Sequence, residues 1–105
     1  MFKGILDGTK IGKKCLQLTP HPNQISEDCL VLNVWTSGLG DLKPVMFWIH
    51  GGGLSGGSSF EEEYNGTVLA THDVVIVSTN YRLGSLGFLY GGREDAPGNV
   101  GFYDQ

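Results

Sequence analysis

Val45-Met46-Phe47-Trp48-Ile49-His50-Gly51-Gly52-Gly53-Leu54-Ser55-Gly56-Gly57 carries an unbroken apolar run straight into a glycine-rich loop. Five consecutive apolar side chains after Pro44 suit a strand covered on both faces, as in a parallel sheet, rather than one with a wet face. Five glycines then fall within the seven residues 51–57. A tight turn needs only one or two. The excess points to backbone at positive φ and to main-chain N–H groups that a ligand approaches closely.

Two further β-branched and aromatic runs flank this stretch: Leu30–Trp35, stopped by Thr36-Ser37-Gly38, and Val74–Thr79, ending at Asn80. The runs at Val45 and Val74 predict central strands of a mixed, mostly parallel sheet. Thr67–His72 predicts a short helical turn beginning near Asn65 or Gly66. Residues 1–29 are polar and loop-like, with turns marked by Pro20-His21-Pro22-Asn23. Beyond Asn80 the chain is punctuated by Gly84, Gly87, Gly91, Gly92 and Pro97-Gly98. No segment keeps a 3.6-residue period over ten residues, so the helices that must cover an α/β sheet are largely missing. The expectation is an incomplete α/β fold within a larger domain, with Trp35, Met46 and Trp48 in its core. Taken alone, such a sheet should expose Val45–Ile49 and Val74–Val77, and should self-associate or bind whatever completes it.

Composition excludes several classes of function. Seven Lys+Arg against eleven Asp+Glu leave a net charge of −4, which offers no footprint for a phosphate backbone, so no nucleic-acid partner is expected. No apolar run approaches the ~18 residues of a membrane span, and Met1–Asp7 lacks the apolar core of a secretory leader. Glycine accounts for 17 of the 105 residues, about twice its usual share. Cys15 and Cys29 are compatible with two free thiols or with one bridge closing a short loop, the bridge being slightly favoured by spacing. Nothing has zinc-ligand spacing, and neither a metal nor a cofactor is expected.

Three motif matches compete for the glycine run. Gly51-x-Gly53-x-x-Gly56 fits a dinucleotide fingerprint, but that motif must open a helix, and no acidic residue follows the next strand to hold a ribose. A phosphate-cradling Gly-Lys-Ser/Thr does not occur. Gly53-Leu54-Ser55-Gly56-Gly57 fits the G-x-S-x-G elbow of a serine nucleophile, yet Ser55 sits between glycines with no helix behind it, so the match is a decoy. A His-Gly-Gly-Gly loop after a buried strand fits the spacing best. In α/β-hydrolases such a loop donates backbone N–H groups to the oxyanion formed during acyl transfer.

Four motifs in order then carry a family resemblance. Glu27-Asp28-Cys29-Leu30-Val31-Leu32-Asn33, Trp48-Ile49-His50-Gly51-Gly52-Gly53, Asn80-Tyr81-Arg82-Leu83-Gly84 with Gly87-Phe88-Leu89, and Ala96-Pro97-Gly98-Asn99-Val100-Gly101-Phe102-Tyr103-Asp104-Gln105 resemble signatures of the type-B carboxylesterase/cholinesterase family. The order and spacing agree over about residues 5–105. The resemblance implies that residues 1–105 are a partial N-terminal portion of an α/β-hydrolase catalytic domain acting on small carboxylic esters.

By the same resemblance, Gly52 and Gly53 supply oxyanion-hole donors, Cys15 and Cys29 form a disulfide, and Arg82 and Asp104 form a buried structural ion pair. Glu27 matches an acid whose arginine partner lies before this sequence. The nucleophile elbow, the acidic triad member and the catalytic histidine follow the last motif in the family, so the Ser-His-acid triad is expected outside this chain; neither His50 nor His72 matches the triad histidine. Leu16–Asp28 contains no tryptophan, unlike the longer choline-binding loop of cholinesterases, which favours a general carboxylesterase. The alternative is a non-catalytic, neuroligin-like adhesion or scaffold protein. A secretory-pathway location is expected of the complete protein, and Asn65-Gly66-Thr67 is then a glycosylation candidate. A side chain at Gly52 or Gly53 is expected to harm the site far more than the fold.

Overall fold

The computed structural model describes residues 4–5, 7–19, 21–40 and 42–105. Met1–Lys3 and Leu6 of the opening stretch, and Pro20 of the predicted turn, lie outside the described residues. Before the first long strand, the chain forms two two-residue strands, β1 (Lys14–Cys15) and β2 (Ile25–Ser26), which pair in parallel. All three apolar runs then become strands: β3 (Leu32–Trp35), β4 (Val45–Ile49) and β5 (Val75–Thr79).

The sheet order is β3-β5-β4. β5 pairs antiparallel with β3, from Leu32 opposite Thr79 to Trp35 opposite Ile76, and parallel with β4, from Val45 opposite Val75 to Ile49 opposite Thr79. The sheet is therefore mixed as expected, but one pair of each kind replaces the expected parallel majority among the described residues. The parallel pair requires a crossover of a dozen or more residues. Residues 50–74 supply it with glycine loop and 3-10 turns at Glu62–Tyr64 and Leu69–His72 instead of an α-helix. The expected helical turn is thus present: the Asn65 side-chain oxygen accepts from Thr67 N–H at 2.9 Å, and Ala70 N–H donates to Gly66 at the same distance.

Burial divides the two apolar runs. β4 lies at the sheet edge and is exposed throughout, so Met46 (49%) and Trp48 (47%) are half-open rather than core, and Trp35 is only half-buried. The expected exposure of Val74–Val77 is also corrected. β5 is flanked by strands on both sides, so Ile76 is buried and Val74, Val75 and Val77 are half-buried.

The packed core lies elsewhere. The Cys15–Cys29 disulfide, with its Cα atoms 4.9 Å apart, is buried with Tyr81 and Leu83, and Phe88 packs against them. After β5 come α1 (Gly84–Phe88), the hairpin β6 (Tyr90–Arg93) and β7 (Ala96–Pro97), and α2 (Val100–Asp104). The two helices meet through an edge-on Phe88–Phe102 contact at 5.1 Å. Five residues are too few to register a helical period, so neither helix is visible in the sequence pattern.

Arg82 joins α2 to the end of β5. Its Nε and Nη2 donate to Asp104 Oδ2 and Oδ1 at 2.8 and 2.7 Å, and its backbone N–H adds a third bond at 3.0 Å. These bonds from Arg82 hold the Asp104 carboxyl below its ordinary range. A carboxylate whose folded pKa is lowered contributes stability that is complete above the unfolded value of ~3.9 and fades as pH falls through the folded value. Asp104→Asn is expected to lower unfolding free energy at pH 7 by about 2 kcal/mol, less than for a fully buried pair because the Arg82 side chain is 40% exposed. Denaturant titrations should show that deficit shrinking below about pH 4. A deficit independent of pH would contradict the assignment.

Candidate functional site

At the carboxyl end of β4 the chain passes through His50, which is 2% exposed. Its ring stacks on Tyr81 with centroids 4.5 Å apart, and Tyr81 Oη donates to the His50 carbonyl at 2.8 Å. Burial raises the pKa of the Tyr81 phenol, which keeps it a donor. His50 Nδ1 donates to the Gly51 carbonyl at 2.8 Å. Nε2 of the same ring is buried without a partner among the described residues.

The loop then turns through positive φ at Gly52 (124°), Gly53 (60°), Leu54 (60°) and Gly57 (105°). The Gly52 carbonyl accepts from Ser55 N–H at 3.2 Å, Gly56 N–H at 3.1 Å and Ser55 Oγ at 3.2 Å. In a trans peptide the C=O and the following N–H point in opposite directions. Anchoring the Gly51 carbonyl on the His50 ring therefore turns Gly52 N–H away from that ring. Anchoring the Gly52 carbonyl inside the turn likewise turns Gly53 N–H out of it. Both glycines are exposed, and neither N–H donates to an acceptor among the described residues.

The two glycines are required for different reasons. A Cβ on Gly52 would collide with the Gly56 carbonyl, so this position is demanded by the loop itself. That corrects the expectation that a side chain here would harm the site far more than the fold. At Gly53 the nearest atom to a Cβ is Ser55 Oγ at 3.9 Å, so the loop has room for a side chain.

The remaining residues singled out in the sequence separate cleanly. Ser55 is exposed, donates into its own turn, and has no helix behind it. No serine hydroxyl bonds a histidine ring among the described residues. His72 is exposed and ends a 3-10 turn. Asn65 is exposed. Glu61, the first of three consecutive glutamates, pairs with Lys14 at 2.7 Å. No group of three or more potential metal ligands occurs, and no helix is long and apolar enough to cross a membrane, among the described residues.

Two residues that hold the loop escaped the sequence pattern. The Asn80 side chain, buried at 2% exposure, accepts from Ser59 N–H and Oγ, both at 2.9 Å. Its Nδ2 donates to the carbonyls of Lys13 and Cys29, both at 3.1 Å. Gln17 bonds Gly57 through both amide atoms. A polar residue closing a buried strand was the available signal for Asn80; Gln17 had none.

A model of the carboxylesterase family matches residues 1–105. Acetylcholinesterase of Gallus gallus is 55% identical over 89 residues, covering 81% of this chain and 12% of that protein. Acetylcholinesterase-1 of Trittame loki is 51% identical over 118 residues, covering 99% of this chain and 21% of the relative. Carboxylesterase 3 of Homo sapiens is 41% identical over 120 residues, covering 98% and 21%. The chain thus spans between 12% and 21% of the length of these relatives. The higher identities are to cholinesterases, although Leu16–Asp28 has no tryptophan.

Proposed function

This chain belongs to the carboxylesterase family, and from that premise we propose that the whole protein hydrolyses small carboxylic esters, with Gly52 and Gly53 supplying its oxyanion hole. One observation carries the proposal: two adjacent N–H groups, without acceptors among the described residues, leave a loop whose Gly51 and Gly52 carbonyls are tied down. Attack on an ester places negative charge on the former carbonyl oxygen. Donors fixed beforehand stabilise that charge without reorganising, each contributing about 2.7–4 kcal/mol. Glycine at 53 leaves the acyl group space to approach.

In this reading residues 1–105 are the N-terminal portion of a type-B carboxylesterase domain of α/β-hydrolase fold. The attacking serine, its histidine and the orienting carboxylate come from outside these residues, and the 105 residues alone do not hydrolyse esters. A bound intermediate has to be made before it can be stabilised, and making it needs a serine activated by a base. Ser55 has no such base among the described residues. The missing Trp in Leu16–Asp28 supports a general ester substrate over a quaternary ammonium one, since an aromatic face is what attracts such a cation. The buried disulfide suits the secretory lumen, where Asn65 is open to a glycan.

A fluorophosphonate serine probe tests the placement. Peptide mapping of the labelled protein should find the adduct on a serine outside residues 1–105, with Ser55 unmodified. Stoichiometric, heat-sensitive labelling of Ser55 would overturn the placement of the nucleophile.

A further inference from the structure

We propose that Gln17 is a positioning residue for the oxyanion donors, a role that rests on ester hydrolysis at Gly52 and Gly53. A loop with five glycines in residues 51–57 has more backbone freedom to lose than any other segment of its length, so its geometry depends on its anchors. The bonds to the Gly52 carbonyl lie within the turn and move with it as a unit. Among the described residues, three sets of hydrogen bonds tie that unit to the rest of the molecule. His50 holds its start, Gly84 N–H donates to the Leu54 carbonyl at 2.7 Å, and Gln17 holds its end.

The Gln17 contact saturates Gly57. Oε1 accepts from Gly57 N–H at 2.9 Å, while Nε2 donates to the Gly57 carbonyl at 2.8 Å and to the Cys15 carbonyl at 3.1 Å. One side-chain amide thus satisfies both backbone groups of a residue forty positions away. Its own base is cross-linked. Cys15 is bridged to Cys29, and Asn80 ties the carbonyls of Lys13 and Cys29 together. The disulfide loop therefore fixes Gln17, Gln17 fixes Gly57, and the turn carrying the Gly52 and Gly53 N–H groups is set against the scaffold. Gln17 bonds Gly57 and Cys15 rather than either donor glycine, so it acts through the loop.

The test uses the whole protein with Gln17→Met, which keeps length and removes both bonds, and Gln17→Glu, which keeps an acceptor for Gly57 N–H and sets a carboxylate against the Gly57 carbonyl. Displacing catalytic groups by about 1 Å lowers rates by as much as ~100-fold. In both variants kcat is expected to fall about 10- to 100-fold with KM within about threefold, because the oxyanion exists only after substrate has bound. Deuterium uptake of a peptide spanning residues 50–58 should rise at the same time, while the melting temperature stays near that of the parent. If Gln17→Met does not fold, Gln17→Glu carries the comparison. An unchanged kcat, or a loss lying entirely in KM, overturns the proposal. Should the parent itself fail to hydrolyse esters, the proposed function falls, and deuterium uptake still decides whether Gln17 holds the loop: a rise supports it and no change overturns it.

Discussion

If Gly53 serves the whole protein as proposed, Gly53→Val is expected to lower kcat for ester hydrolysis by roughly 100- to 1,000-fold, the scale of putting one oxyanion donor out of reach, while the protein stays folded. The side chain enters open space, with Ser55 Oγ at 3.9 Å the nearest neighbour, so no core contact is disturbed. Its structural cost is the strain of a β-branched residue at φ 60°, on the order of 1–3 kcal/mol. Its chemical cost falls on the exposed face from which Gly53 N–H emerges, where a branched side chain obstructs the acyl oxygen. Steady-state kinetics beside a thermal melt separate the two effects. A folded variant that retains full kcat would remove Gly53 from the site. Gly52→Val cannot serve as the same test, because its Cβ meets the Gly56 carbonyl and the turn fails first.

Replacing both cysteines by alanine is expected to cost about 3 kcal/mol of stability, from the closure entropy of a loop of some 15 residues. Cys15 and Cys29 are separated by 14 positions and are 2% and 1% exposed. The lost bridge therefore also opens the contact that Tyr81 and Leu83 make with it. Urea titration of the double variant should show a lower midpoint with a similar slope. Reduction of the parent should reproduce that shift. A double variant with the parental midpoint would show that Asn80 and the surrounding packing hold β1 to Cys29 without the cross-link.

The sheet and its glycine loop were legible because both depend on local backbone needs. β-Branched and aromatic runs favour extended chain wherever they occur, and a loop crossing positive φ at four of the residues 52–57 requires glycine at most of them. The ion pair of Arg82 with Asp104 was legible only through likeness to a family, whereas the cysteine bridge was slightly favoured by spacing and strengthened by that likeness. Other features were out of reach. β4 is apolar throughout and β5 ends in Ser78 and Thr79, yet β3 and β4 both pair onto β5, leaving the more apolar run at an open edge and the less apolar one inside. Hydrophobicity within the runs points the opposite way, so the outcome was set by pairing and not by composition.

The same division runs through the candidate site. Residue types at positions 50–57 determined that a close-approach loop would follow a strand, because positive φ and small volume are properties a residue carries wherever it stands. The direction of the N–H groups is a different matter. It depends on carbonyls fastened to the His50 ring and inside the turn, on Tyr81 reaching the His50 carbonyl across 31 positions, and on Gln17 reaching Gly57 across forty. Those partners are chosen by which distant segments the fold brings within hydrogen-bonding distance, and only the folded chain specifies that.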